Sequence, residues 1–228
     1  MHRYETHLHT APVSRCARAS VEESLEFYKN LGYDGVFITN HFLDGNLNYD
    51  RQKPYAERIE FYFSDYEKAL EFGQIIGIKV FLGVELSYKG ADFLVFGLDK
   101  AWYLNHPEIM EMTKSQELAL MRECGALIIQ AHPFRDIDHI QLFPRYIHGV
   151  EIINASRKPE ENEMAKIFAE HYGLLTFAGS DNHTGSDRSV LAGVCTDEPV
   201  ENVEDFIAKV KNHQTGIFTL INNKKEND

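Results

Sequence analysis

Residues 4–10 read YETHLHT. Tyr4–Leu8 is short and rich in strand formers, so it predicts a β-strand that carries His7 and ends at His9. Two residues apart on an extended chain, these imidazoles point the same way and can reach one ion. Taken alone, the pair fits a polar strand end equally well. The residues just beyond the other apolar runs of the chain decide between the two readings.

Six further runs predict strands: Gly35–Thr39, Lys79–Val84, Phe93–Gly97, Ala126–Gln130, Gly149–Ile153 and Leu174–Ala178. They are mostly not alternating, as expected of strands buried on both faces of a parallel sheet. Metal-capable or polar residues stand at or just beyond the ends of most of them: Asn40 and His41, Glu85, His132, Glu151 with Asn154, and Asp181 with His183. In a closed α/β barrel the C-terminal strand ends converge on one site. Residues scattered in sequence are therefore expected to cluster in space. His2, His106, His139, His148, His171 and His213 fall in helices or before strands and are read as surface or structural.

Amphipathic helices are expected between the strands. Ser20–Glu23 fits a capping box, with Leu25, Tyr28 and Leu31 following at helical spacing. Further helices are expected over 54–72, 107–124, 159–172 and 201–213, most of them bounded by glycine. Strand-then-helix order implies parallel strands with right-handed crossovers. The fold class expected is α/β, a single (β/α)7 distorted TIM-like barrel over residues 1–221 with the metal site at the C-terminal strand ends, and a polar tail over 222–228.

The chain has 228 residues, enough for one sizeable core. No apolar run approaches the roughly 18 residues of a membrane span. The first residues lack the basic and apolar regions of a signal peptide, which predicts a cytoplasmic protein. Cys16, Cys124 and Cys195 are odd in number and form no CxxC pair, so reduced thiols are expected. A net charge of −12 disfavours a long nucleic-acid partner, because such binding relies on cationic side chains. It fits a site whose carboxylates are balanced by bound cations. The sequence sets no oligomeric state.

The motifs Glu5–Thr10, Ile38–His41, Gly83–Glu85, Ala131–Pro133 and Ser180–His183, in this order, resemble the PHP family, named for polymerase and histidinol phosphatase. The resemblance runs from Glu5 to about Arg188. It implies a seven-stranded barrel, two or three divalent metal ions (Zn, Mn or Fe) and hydrolysis of phosphate esters. It also implies that His7, His9, Glu85 and Asp181 hold a first ion, that Glu85 bridges to a second bound by His132, and that His41 and His183 hold a third. Three positions depart from the family pattern. Asn40 stands where many relatives have Asp; Asp92 stands near a position where the second ion usually has a histidine, and is counted among the candidate ligands, with a strand cap as the alternative; and the stretch after HxH, where the third ion usually takes a ligand, offers Val13–Cys16, whose Cys16 is read as a small buried thiol, with a ligand as the alternative.

Arginines trail the metal motifs: Arg15 and Arg18, Arg135, Arg157 and Arg188. A guanidinium fork matches phosphate oxygens. Arg135 and Arg15 are taken as substrate-binding and Arg18 as an ordinary surface residue, with His183 counted among the catalytic residues as well as the ligands. The expected function is a metal-dependent phosphoesterase that hydrolyses a small phosphate monoester through a metal-activated water. The alternatives are a PHP-type nuclease acting on short nucleic acid or nucleotide, and a metal-binding barrel without catalysis. An amidohydrolase is disfavoured by Glu85 at the bridging position and by the Asp-x-His of the last motif.

Overall fold

In the computed structural model, which describes residues 1–222, local signals start and stop the elements much as the sequence implies. Ser20 caps α1 (Val21–Asn30): its side chain accepts from the Glu23 N–H, and Glu23 reciprocates on the Ser20 N–H at 2.8 Å. Helix α2 (Tyr55–Ile76) ends at Gly77, whose left-handed backbone (φ 72°) suits a residue without Cβ. Gly173 ends α5 (Pro159–Tyr172) in the same way.

The strands are β1 (His2–Leu8), β2 (Gly35–Ile38), β3 (Lys79–Tyr88), β4 (Ala91–Phe96), β5 (Leu127–Ala131), β6 (Gly149–Asn154), β7 (Leu175–Gly179), β8 (Val190–Thr196) and β9 (Thr215–Ile221). They lie in the order β7-β6-β5-β4-β3-β2-β1-β8-β9. The sheet curls so that β7 returns to β1. There the His9 N–H donates to the Asn182 carbonyl (3.0 Å) and the Asn182 N–H to the His7 carbonyl (3.2 Å). The result is an α/β fold with a nearly closed barrel, as expected.

Several details differ from expectation. First, β4 is antiparallel to both β3 and β5. Only Lys89 and Gly90 separate it from β3, and both have positive φ (45° and 93°), as in a two-residue hairpin turn. A parallel crossover needs a dozen or more residues. Reversing β4 brings its first residues, Asp92 among them, to the end of the barrel where β3 finishes. Second, β8 and β9 extend the sheet antiparallel beyond β1. Third, the helix expected over 107–124 is broken. Thr113 forms a capping box with Gln116 and starts α4 (Lys114–Glu123), while Asp99 caps a separate α3 (Lys100–Asn105). Asn222, expected in the tail, is buried and donates to the Ser189 carbonyl at 2.7 Å. The rest of that tail, 223–228, lies outside the described residues.

Aromatic rings fill one end of the barrel. Phe37, Phe81, Phe96 and Phe177 pack with Phe206 and Val210 of α6 (Val203–Lys211). Burying each such ring contributes about 1.5–3 kcal/mol. This plug leaves polar side chains the opposite end, where β1, β3 and β6 finish. No helix among the described residues is long and apolar enough to cross a membrane.

Candidate metal centre

His7 lies within β1, and His9 just past it; both are fully buried. Strand β3 continues past the expected boundary, so Glu85 sits inside it, aimed into the barrel mouth. His41, His132 and Asp181 follow β2, β5 and β7 within a few residues. His132 and Asp181 have positive φ (25° and 52°), a region that costs energy for residues with a Cβ. Such strain is held where the surroundings over-determine the backbone, often at functional sites.

Glu85 is the hub. Its Oε1 lies 3.0 Å from His7 Nε2 and 3.5 Å from His132 Nε2. Its Oε2 lies 3.4 Å from His9 Nε2 and 2.6 Å from His41 Nδ1. Asp181 faces the same space: Oδ1 is 3.6 Å from both His7 and His9 Nε2 and 3.4 Å from His183 Nδ1, and Oδ2 is 3.9 Å from His132 Nε2. Asp92 approaches from β4, 3.8 Å from His132 Nε2.

These atoms are close without satisfying one another. His7 Nε2, His9 Nε2, His41 Nδ1, Glu85 Oε2 and Asp92 Oδ2 are buried and lack a partner in hydrogen-bond geometry. Ion-pair distances without hydrogen-bond alignment mean that the donor atoms converge on shared points rather than on each other. Unsatisfied buried polar atoms are costly, and a divalent cation removes that cost for several at once. Three groups of ligand-capable atoms are compact enough for an ion: His7, His9 and Asp181; His7, Glu85 and His132; and His9, His41 and His183. The residues present therefore fit metal ions bound by imidazole and carboxylate.

Charge follows the same arrangement. Burial would raise the Glu85 carboxyl, but His41, His7 and His9 outweigh it and hold the group well below its usual range. Burial would lower His41, yet Glu85 and Cys16 bring it up to about 10. His9 is driven well down by burial and by the neighbouring His183 and His41. A cation entering this cluster must displace imidazole protons, so binding is coupled to proton release.

Behind the ligand-capable atoms lies a second layer. Glu151 Oε1 is 3.0 Å from His7 Nδ1, while its Oε2 accepts from the His132 N–H (3.1 Å) and Asn154 Nδ2 (2.8 Å). Gly179 permits this approach, since a Cβ there would stand 2.6 Å from Glu151 Oε1. Ser14 Oγ is 3.1 Å from His9 Nδ1 and accepts from the His41 N–H at 3.0 Å. Fixing the remote imidazole nitrogen sets which nitrogen faces an ion.

A cavity of about 450 Å³ opens above the cluster, lined by Cys16, His41, Glu85, Asp92, Arg135 and Arg157 among others. Arg135 Nη2 is 2.8 Å from Asp92 Oδ2. Arg157 carries a buried Nε without a partner. Arg15 is exposed and is not among the lining residues; its backbone N–H donates to the Asn46 carbonyl. Arg188 acts from behind the lining, with Nη2 2.6 Å from Ser156 Oγ. Cys16 is half-buried at the cavity wall rather than in the core, and contact with His183 and His41 outweighs burial to bring its thiol down to about 6. The histidines read as structural stay apart; His106, for example, stacks on Trp102 and His2 meets Asp34 at 2.8 Å. Ser14 and the cavity-wall residues Lys89 and Ser156 were not singled out by their sequence. They flank the motifs, and their side chains gain meaning only once the loops are folded together.

Over 95% of its length the chain superimposes on a two-domain protein from Bacteroides vulgatus containing a predicted PHP-like metal-dependent phosphoesterase (TM-score 0.67, 14% identity, 64% of that chain). The chain has the PHP-type fold. The PHP-type barrel also matches PsfC from Pseudomonas syringae, with TM-score 0.59 and 16% identity over 98% of this chain and 93% of that one. A family model described as PHP-associated matches residues 159–215, which include Asp181 and His183. In sequence the chain is similar to a probable histidinol-phosphatase from Clostridium acetobutylicum, 28% identical over 167 residues, covering 64% of this chain. The chain spans 61% of that relative's length.

Proposed function

We propose that the PHP-type barrel is a metal-dependent hydrolase of small phosphate monoesters. The observation that carries this reading is Glu85, fully buried, with each carboxylate oxygen facing two imidazoles, and with His7 Nε2, His9 Nε2 and His41 Nδ1 lacking a hydrogen-bond partner. His7, His9 and Asp181 would hold one divalent ion, Glu85 and His132 with Asp92 a second, and His41 with His183 a third. Two carboxylate oxygens can serve two cations, so Glu85 would hold the first ion as well as the second. When bound, the ions would supply Lewis acidity and a nucleophile at neutral pH. Zinc, manganese and iron all suit such ligands.

The protein's own groups do the rest. Arg135 and Arg157 face the cavity and would orient the phosphate by paired N–H donors. Arg15, exposed and away from the lining, takes no part in this proposal. Glu151 and Ser14 keep His7 and His9 turned toward the site. A cavity of about 450 Å³ suits a small substrate, and the probable histidinol-phosphatase relative favours a phosphomonoester of a small alcohol. The three free cysteines suit a reducing compartment such as the cytoplasm.

The test is elemental analysis of the purified protein followed by a screen of phosphate esters. At least two transition-metal ions per chain are expected, with turnover of a phosphomonoester that chelation abolishes. No metal as purified and no uptake on reconstitution would defeat the proposal. Cleavage confined to phosphodiesters would point to a nuclease instead.

A further inference from the structure

The loop joining β1 to α1 is tied to two neighbours that carry ligand-capable histidines. The Arg15 N–H donates to the Asn46 carbonyl (2.9 Å), in the loop that follows His41. The Arg18 N–H donates to the carbonyl of His183 itself (2.7 Å). Between these anchors the Ala17 N–H closes a turn on the Ser14 carbonyl (3.1 Å). Cys16 is therefore fixed at the wall of the cavity that His41 and His183 also line.

This is where His9, His41 and His183 gather their nitrogens, with His9 and His183 stacked at 4.0 Å between ring centroids. His9 is fully buried, and its Nε2 has no hydrogen-bond partner; His41 Nδ1 also lacks one. Glu85 Oε2 faces His9 and His41, and Asp181 Oδ1 faces His9 and His183, but both carboxylates also face His7 and so are shared with the neighbouring groups. The carboxylates near the three-histidine group are thus shared with its neighbours, and the thiol is the unshared side chain placed at the cavity wall beside His41 and His183.

We propose that Cys16 binds as a thiolate to an ion held by His41 and His183, making this position an imidazole–thiolate site that selects zinc over manganese. The inference rests on the metal-centre reading above. On binding, the S–H bond breaks, the sulfur keeps the electron pair and donates it to the cation, and the proton leaves to solvent. A soft thiolate favours zinc, whereas manganese prefers oxygen ligands. Cys16→Ser should weaken zinc at this position by roughly 10²-fold or more, beyond the loss typical of a residue that only orients a ligand.

The experiment is a Co²⁺ titration of the metal-free full chain in which Cys124 and Cys195 are both replaced by Ser, leaving Cys16 as the one thiol. A thiolate-to-cobalt charge-transfer absorption should grow in the near ultraviolet as the sites fill, and labelling of the remaining thiol should be blocked in step. Adding Cys16→Ser should abolish the absorption while the other ions still bind. In a separate arm, Cys16→Asp should restore stoichiometry but narrow the preference for zinc over manganese, since an oxygen ligand suits manganese better than a thiolate does. Uptake of cobalt with no charge-transfer absorption and with Cys16 still freely labelled would overturn the thiolate and leave the metal centre standing. Failure to take up any ion would overturn both.

Discussion

Glu85→Gln isolates charge from shape. The amide fills the volume of the carboxylate but turns one of its oxygens into an NH₂. In either orientation that NH₂ faces a pair of imidazole nitrogens: His7 and His132 at 3.0 and 3.5 Å, or His9 and His41 at 3.4 and 2.6 Å. An amide nitrogen has no lone pair to offer a cation, so one of the two sides loses its ligand outright. The other side keeps a neutral oxygen in place of an anionic one. Unit charges about 4 Å apart interact by roughly 4 kcal/mol at an effective dielectric near 20. A net loss of about 3 kcal/mol for the affected ion is a conservative fraction of that. It corresponds to affinity reduced by roughly 10²-fold, at about 1.4 kcal/mol per tenfold. Metal content after equilibration with a competing chelator measures the affinity, and kcat/KM on a generic phosphomonoester reports the chemistry. Far-ultraviolet circular dichroism checks the fold. Glu151→Gln, which touches His7 only from behind, should lose less, within about 10–100-fold. Unchanged metal content and turnover in Glu85→Gln would refute the bridge.

The same geometry sets three other outcomes. Arg135→Ala should cut kcat/KM by roughly 10²-fold with metal content retained, and Arg135→Lys should recover only part, since the ammonium lacks the fork; near-normal kcat/KM for Arg135→Ala would remove Arg135 from the phosphate site. Phe206→Ala should cost about 3–5 kcal/mol, measured by urea unfolding, because the ring plugs the barrel end against Phe37, Phe96 and Phe177. His148 is held down to about 4 by burial and by Arg122 and Lys211, and accepts from the Ile128 N–H at 3.1 Å. Its folded value lies below the ordinary 6.5, so its contribution is present above about pH 6.5 and is lost as pH falls toward about 4. The metal-free protein should lose Tm across that window more steeply than His148→Asn; parallel curves would show that His148 is not responsible.

The barrel was legible because each strand is a compact apolar run and most of the polar residues that matter stand beside a run's end. Glu85, His132 and Asp181 could be placed from that pattern alone. The direction of β4 was not legible from strand propensity. It is decided by Lys89–Gly90, where two residues in left-handed conformation leave no room for a crossover. The omitted β8 and β9 lie beyond the last motif, where apolar content is diluted by Gly193, Cys195, Thr215 and Thr219. Side-chain position was harder still. Arg15 and Cys16 are adjacent, yet Cys16 faces the cavity and Arg15 faces solvent. Loop conformation decides this, and no periodicity encodes it.

Asn40 shows how a departure from a motif can be settled by its surroundings. As a missing acid beside His41, it would imply a weakened metal site. In the fold it does not point at the ligand-capable cluster. Its Oδ1 accepts from the Thr10 N–H (2.7 Å) and from Ser14 Oγ (2.8 Å), and its Nδ2 is 2.9 Å from Thr10 Oγ1 and 3.3 Å from Asp65 Oδ2. Asp65, reaching in from α2, is itself buried, and burial raises its carboxyl despite hydrogen bonds from Thr10 and Val13. An aspartate at position 40 would set a second carboxylate against this one with no cation between them, and like charges at that distance in a buried site cannot both ionise cheaply. The amide instead donates to Asp65 and accepts from Ser14, whose hydroxyl in turn meets His9 Nδ1 and the His41 N–H. Asn40 thus connects α2 to the two histidines, and the pairing of an amide at 40 with an acid at 65 preserves the scaffold beneath the proposed ligands without requiring Asn40 to be one.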